Sequence, residues 1–289
     1  MELEDYISGE RFQNIADISI IPYGSNNGEK ECGFVAEQQN NNNYRTFYYD
    51  TSTTSLPSEV DNVNVIFVNT WTLDKFFKII FPLLTNKYIF ISHNSDLGIN
   101  KQHQQYIDSS KVIRWYSQNA YFKHDKLFAL PIGLGNQQYS HGNIKLLDEI
   151  KNTNYQKELL VYKNFDINSN PYRRSLIDSI TTSNKIFMSK NTSIKPYFEN
   201  IAKSAFCICP PGNGNDCHRI WECLYLKTIP IIEKNSWFEQ FDHLPILLTE
   251  DWNDIKIQTL RDKYLQMQHH DFNIEELKLN YWKTHICKV

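Results

Sequence analysis

The sequence predicts an α/β protein built from two Rossmann-like halves, and three observations carry that reading. Short β-branched and aromatic runs alternate with amphipathic segments from Val63 onward. The runs are continuously apolar instead of alternating, the mark of parallel strands covered on both faces. The alternation breaks once, at the Asn/Lys-rich stretch Lys151–Gln156, and then resumes. A chain of 289 residues suits two domains at roughly 100–200 residues each. The expected division is 1–152 and 153–289, the second ending in a helical tail from Trp252. One long mixed sheet is the structural alternative.

In order, VNVIFVNT (Val63–Thr70) reads as a buried strand and Leu73–Leu84 as a helix. The strands YIFIS (Tyr88–Ser92), IRWYS (Ile113–Ser117) and LFALPIGL (Leu127–Leu134) follow, with the polar loop HNSDLGIN after the first. Beyond the break come the strand ELLVYKNF (Glu158–Phe165) and the helix PYRRSLIDSI (Pro171–Ile180), with proline in its first turn. KIFMS, a helix near Ile194–Lys203 and the strand AFCIC (Ala205–Cys209) lead to the loop PPGNGND. The helix HRIWECLYL and the strands IPIIE (Ile229–Glu233) and PILLTE (Pro245–Glu250) complete the pattern. Gln38–Asn43 (QQNNNN) is a polar surface loop by composition.

Composition narrows the function. A net charge of −3 excludes the large basic footprint of a duplex-binding protein, so no nucleic-acid partner is expected. The apolar run Phe76–Leu84 contains Lys78 and falls short of the roughly 20 residues of a membrane span. The opening MELEDYISGE has no apolar core, so no signal peptide is expected and a cytoplasmic location follows. Six cysteines in that setting are expected reduced.

The stretch Phe206–Pro230 concentrates the chemistry: a buried strand, a Gly/Asn loop, then a helix with Arg219 and Glu222. Free N–H groups at a helix N-terminus attract anions, and glycines let a phosphate approach the backbone. Arg219 in the first turn can clamp a diphosphate. Glu222, three residues on, shares that face and can accept from ribose hydroxyls. The loop is neither standard phosphate loop: no Lys-Ser/Thr follows Gly214, and Cys217 stands where a dinucleotide fingerprint needs its third glycine. The plainer alternative is a capping turn followed by a surface Arg–Glu pair.

The segment resembles the C-terminal signature of exostosin-like glycosyltransferases. The residues carrying the resemblance are Phe206–Pro210, Gly212–Gly214, Asp216, Arg219, Trp221, Glu222, Leu224 and Ile229–Ile232. FDHLPILLTEDWNDI continues it, and NPYRRSLIDSI resembles the segment carrying an arginine near the donor phosphates; Arg174 fits that spacing better than Arg173. YIFISHNSDLG, RWYSQNA and LFALPIGLGNQQYSHG are similar to first-half segments, so the likeness spans roughly residues 63–260, and the opening 60 residues lie outside it. The resemblance implies a GT-B fold, two Rossmann-like domains facing a central cleft, with 1–152 on the acceptor side and 153–289 binding a nucleotide-sugar. It implies inverting transfer from a UDP-sugar to a glycan acceptor, with no metal or other cofactor; no D-x-D motif occurs. The implied donor site comprises Arg174, Pro210, Gly212, Asn213, Gly214, Asp216, Arg219 and Glu222. A GDP-sugar-using, fucosyltransferase-like enzyme and a non-catalytic glycan- or nucleotide-binding module are the alternatives.

Inversion requires a general base within reach of the acceptor hydroxyl, expected from the first domain. Asp96, His93 and His141 all follow predicted strands, at the edge where α/β sheets bind ligands. Asp96 is favoured because His93 and Asn94 could orient it; turn and cap duty is the alternative for all three. Cys207, Cys209, Cys217, His218 and Cys223 are metal-ligand types, but no paired C-x-x-C occurs, so packed thiols are expected. Neighbours on a helix point apart, which argues against a Cys217–His218 nucleophile pair. Trp115, Tyr116 and Tyr139 are the aromatics expected near the cleft, and Asn191–Ser193 forms a sequon.

Overall fold

The protein is described by a computed structural model covering residues 1–23, 45–180, 186–189, 193–235 and 237–288. The Gln38–Asn43 run and residues Asn191 and Thr192 of the sequon lie outside the described residues. The chain forms two compact units, one of Ile7–Ile132 with Leu279–Val289, the other of Gly133–Lys278 with Met1–Tyr6.

The first unit begins with α1 (Gly9–Gln13), β1 (Ile18–Pro22), β2 (Thr46–Tyr49), α2 (Ser58–Asp61) and β3 (Val65–Asn69). It continues through α3 (Leu73–Ile79), β4 (Tyr88–His93), α4 (Gln104–Ile107), β5 (Val112–Ser117) and β6 (Leu127–Ala129). The six strands run in the order β2-β1-β3-β4-β5-β6, every pair parallel. Each residue of β1, β3 and β4 is buried, as continuous apolar runs covered on both faces require. α3 stops before the expected Leu84, because Pro82 has no N–H to continue it and a short 3-10 turn, Phe81–Leu83, takes over. β1 and β2 come from the opening segment that no motif covered; ISIIP is apolar except at Ser19.

The second unit contains α5 (Ile144–Asn152), β7 (Leu159–Lys163), α6 (Tyr172–Ile180), β8 (Ile186–Met188), α7 (Ile194–Ala202) and β9 (Ser204–Ile208). After these come α8 (His218–Tyr225), β10 (Ile229–Glu233), β11 (Leu247–Thr249) and α9 (Ile257–Gln268). Its five strands run β11-β10-β9-β7-β8, again all parallel. β9 is central and buried at all five positions. Val161, Phe206, Ile208, Ile231, Trp252 and Leu260 form one core on this sheet. The last helix, α10 (Leu279–Cys287), returns to the first unit, where Trp282 meets Phe12 edge-on at 5.9 Å.

Two separate parallel sheets are observed, not one long mixed sheet. The grouping of segments differs from a division at residue 152. Gly133–Asn152 packs with the second sheet, α5 lying against α7, and Tyr6 joins it by packing on Tyr225 at 4.7 Å. Among the described residues, no helix is long and apolar enough to cross a membrane.

Candidate functional site

β9 delivers the chain at Cys209 to the C-terminal edge of the second sheet, the edge where parallel α/β sheets bind ligands. The loop Pro210–Cys217 then leads into α8. An arginine on α6 shapes this loop. Arg173 donates from Nε to the Pro211 carbonyl at 2.8 Å, from Nη2 to Pro210 at 3.1 Å and from Nη1 to Asp166 at 3.1 Å. Asn170 adds Nδ2 to the Gly212 carbonyl at 2.7 Å. A Cβ on Gly212 would come within 3.3 Å of Arg173 Nη2, so glycine permits this approach. Gly214 is buried and Asn213 exposed.

Three of the expected donor residues are engaged by other described residues. Arg174 is exposed and donates to Asn168 at 3.0 Å; Arg173, on the buried side of α6, is the arginine bonded to the loop. The Asp216 carboxylate is buried and accepts from Trp221 Nε1 at 2.9 and 3.0 Å, which ties the loop to α8. Glu222 is only 2% exposed, and its Oε2 accepts from Tyr197 Oη at 2.6 Å. Glu222 therefore faces the protein interior where a ribose contact was expected. Burial pushes its carboxyl up to about 7, against the opposing pull of the Tyr197 hydrogen bond and the Arg219 charge.

Arg219 is the group left to act. Its guanidinium lies over the Tyr197 ring, Cζ 5.9 Å from the centroid. Its Nε is closed off from solvent and has no hydrogen-bond partner. Burial, and next the like charge of Arg219, lower Arg173 from the ordinary guanidinium value. Neither arginine forms an ion pair with a described carboxylate. Arg173 on α6 and Arg219 in the first turn of α8 thus place two cations by the glycine loop, where Asp166 acts on the first and Glu222 on the second. His218 in the same turn donates Nδ1–H to the Gly133 carbonyl at 2.8 Å.

His141 joins this site through its neighbours. Its ring lies 5.3 Å from that of His218 and stacks on Tyr139 at 5.3 Å. A Cβ on Gly135 would sit 2.3 Å from His141 Cδ2, so the ring packs where only glycine leaves room. Gly133 itself has φ 68, the left-handed region that glycine tolerates. Burial lowers the His141 pKa from the ordinary imidazole value. His141 thus belongs to the same unit as α8, not to the opposite domain from which a base was expected.

The loop after β4 holds the other two base candidates. His93 is buried; Nε2 donates to the Pro131 carbonyl at 2.9 Å while Nδ1 accepts the Asn94 N–H at 2.7 Å. Burial depresses it to about 4. Both ring nitrogens are used internally, so His93 has no lone pair for an acceptor. Asn94, at φ 65, donates to Gln13 Oε1 at 3.2 Å. His93 therefore has no ring nitrogen left to orient Asp96. Asp96 itself is exposed, its carbonyl accepts from Asn119 Nδ2 at 3.2 Å, and its charge adds to burial in raising Tyr121. Trp115 and Tyr116 are buried core residues, while Tyr139 is exposed.

Three cysteines of this region pack together as free thiols. Cys207 and Cys209 share a face of β9, and α8 lays Cys223 onto it, so the three Sγ atoms lie within 4.8 Å of one another. All three are buried. Arg173, Tyr197 and His218 are the site residues that sequence reading did not select. Arg173 and His218 adjoin selected residues and share their motifs, whereas nothing in the sequence singles out Tyr197.

No protein-family model matches the sequence, and no characterised protein matches it by sequence. Solved structures give a distant likeness. An α1,3-fucosyltransferase aligns at TM-score 0.45 and 9% identity over 89% of this chain and 81% of that one. An α1,3-fucosyltransferase with GDP-fucose aligns at TM-score 0.47 and 10% identity over 96% of each chain. A glycosyltransferase from Rickettsia africae ESF-5 gives 0.37 and 12% over 84% and 79%. The functional reading stands on the site's own geometry.

Proposed function

We propose that this chain is a glycosyltransferase of GT-B type, transferring a sugar from a nucleotide-sugar, a UDP-sugar in the first instance, to a glycan acceptor. The observation that carries the reading is the pair of cations Arg173 and Arg219 at the glycine loop before α8, Arg219 with a buried Nε that has no hydrogen-bond partner. In sugar transfer the leaving group is a nucleoside diphosphate, and negative charge grows on its phosphates as the glycosidic bond breaks. A preorganised guanidinium with an unpaired N–H, backed by a helix N-terminus, stabilises that charge without reorganising. Arg173 shapes the loop and adds its field, and Arg219 meets the phosphates. The exostosin-like motif across Phe206–Ile232 supports the same assignment. No metal is assigned a role in this transfer.

Asp96 is the proposed base for an inverting attack, since it is the candidate carboxylate that remains exposed on a sheet-edge loop. A thermal-shift panel of UDP-, GDP-, CMP- and dTDP-sugars tests the donor reading, followed by nucleotide-release assays on any that bind. Stabilisation by a donor with release of its nucleotide supports it. Stabilisation without release under any acceptor mixture makes the chain a binding module. A response confined to GDP-sugars replaces the UDP assignment and leaves the site in place.

A further inference from the structure

Glu222, Tyr197 and Arg219 form a chain of contacts running from the interior to the anion site. The Glu222 carboxyl is closed off from solvent and accepts from the Tyr197 hydroxyl at 2.6 Å. The Tyr197 ring in turn carries the Arg219 guanidinium, with Cζ 5.9 Å from its centroid. Arg219 makes no hydrogen bond to a described residue, and its Nε is solvent-free. A long side chain with that much rotamer freedom does not stay aimed by itself. The aromatic face beneath it, fixed at its far end by a buried carboxyl, supplies the aim.

We propose that Tyr197 and Glu222 are positioning residues that hold Arg219 toward the diphosphate of the donor, and that Glu222 touches no part of the ligand. The proposal rests on the donor-site reading above and departs from the ribose contact that residue type and spacing suggest. It also has an electrostatic consequence. The groups facing Glu222 are Tyr197 from α7, Cys207 from β9, and Arg219 and Cys223 from its own helix; Lys157 acts on the two thiols. Arg219 is the cation among those that act on the carboxyl directly, and it favours the ionised form. A diphosphate seated on Arg219 offsets that cation, so Glu222 becomes easier to protonate. Burial already brings the carboxyl to about 7. Donor binding near neutral pH is therefore accompanied by proton uptake at Glu222.

Calorimetry with two probes, pyrophosphate and the nucleotide-sugar that stabilises the wild type, tests the assignment. Tyr197→Ala and Glu222→Ala are each expected to weaken both probes by the same factor, about tenfold. Glu222→Gln keeps an acceptor for the Tyr197 hydroxyl and is expected to restore affinity to within about threefold. Titrations of the nucleotide-sugar in buffers of different ionisation enthalpy are expected to show proton uptake in the wild type and none from this source in Glu222→Gln. His141 and His218, also near the site, are unchanged in that variant and supply the baseline. Loss of nucleotide-sugar affinity in Glu222→Ala with pyrophosphate binding untouched would assign Glu222 to the ribose and overturn the proposal. Equal proton uptake in wild type and Glu222→Gln would also overturn it. If the wild-type chain binds neither probe, the donor-site reading falls and this proposal with it, a failure visible before any variant is made.

Discussion

The loop after β4 and the loop after β9 leave the same edge of their respective parallel sheets, and both are rich in Asn and Gly. Their polar groups are handled in opposite ways. After β4, the polar side chains are spent on the fold: His93 on Pro131 and Asn94, Asn94 on Gln13. After β9, two guanidiniums act on one another, neither in an ion pair with a described carboxylate, and Arg219 Nε has no hydrogen-bond partner. Buried polar groups are normally paired, and an unpaired donor costs about 1–3 kcal/mol. Such a group beside a like charge, at a helix N-terminus, is the feature on which the proposed anion site rests. The first loop stabilises a sheet edge and exposes one carboxylate, Asp96; the second holds positive charge ready.

The contrast can be broken by substitution, the largest effect coming first. Asp96→Asn keeps hydrogen-bonding capacity and deletes basicity, so turnover should fall by roughly 10²–10⁴-fold with donor affinity unchanged. Steady-state kinetics beside calorimetry would show this, and near-normal turnover would remove Asp96 from the chemistry. Arg219→Ala should cost a charge-assisted interaction of about 1.5–3 kcal/mol, or roughly ten- to a hundredfold in donor affinity. The matching change in the other loop, His93→Gln, should leave donor affinity alone.

The two neighbouring arginines separate loop shaping from surface charge. Arg173→Ala strips three carbonyls of their donor and should destabilise the second unit by about 2–5 kcal/mol, read by denaturant unfolding. Arg174→Ala, at an exposed position, should stay within about 0.5 kcal/mol of wild type. Equal effects would mean that the loop does not depend on Arg173.

Acidity should move the two regions in opposite directions. His93 is depressed from 6.5 to about 4, so the unfolded chain binds the extra proton between those values. Its contribution is whole above 6.5 and is lost as pH falls toward 4. Glu222 is raised from 4.5 to about 7, so the folded chain holds the extra proton. Its contribution is whole below 4.5 and is lost as pH rises through 7. Each shift corresponds to about 3 kcal/mol. Hydrogen exchange should therefore show β4 amides losing protection, and α8 amides gaining it, as pH falls from 6.5 to 4.5. His93→Gln and Glu222→Gln should each flatten their own response, and parallel movement of both regions would contradict the assignment.

Sequence showed much of this molecule for a physical reason: periodicity reports burial, and both sheets are buried on two faces. The strands from β3 to β11 were legible as apolar runs, with β6 ending early at Ala129, before Pro131. The grouping of Gly133–Asn152 with the second sheet was not legible, because α5 is amphipathic whichever unit covers it. The glycine loop and Arg219 were visible as a strand–loop–helix pattern. The direction of Glu222 was not: an i,i+3 spacing places two residues on one side of a helix but does not say which of them meets solvent. The choice between Arg173 and Arg174 depends on the rotation of α6, which two adjacent arginines leave open. The meeting of three thiols required knowing that α8 covers β9 at that register.

The account turns on whether Arg219 serves a departing nucleoside diphosphate. The most direct measurement is nucleotide release from the panel of nucleotide-sugars by wild type, Arg219→Ala and Arg219→Lys, each confirmed folded by circular dichroism. The account predicts that one donor releases its nucleotide with the wild type, that release falls at least about tenfold in Arg219→Ala, and that lysine restores only part of it. Release undiminished in a folded Arg219→Ala variant would contradict the account.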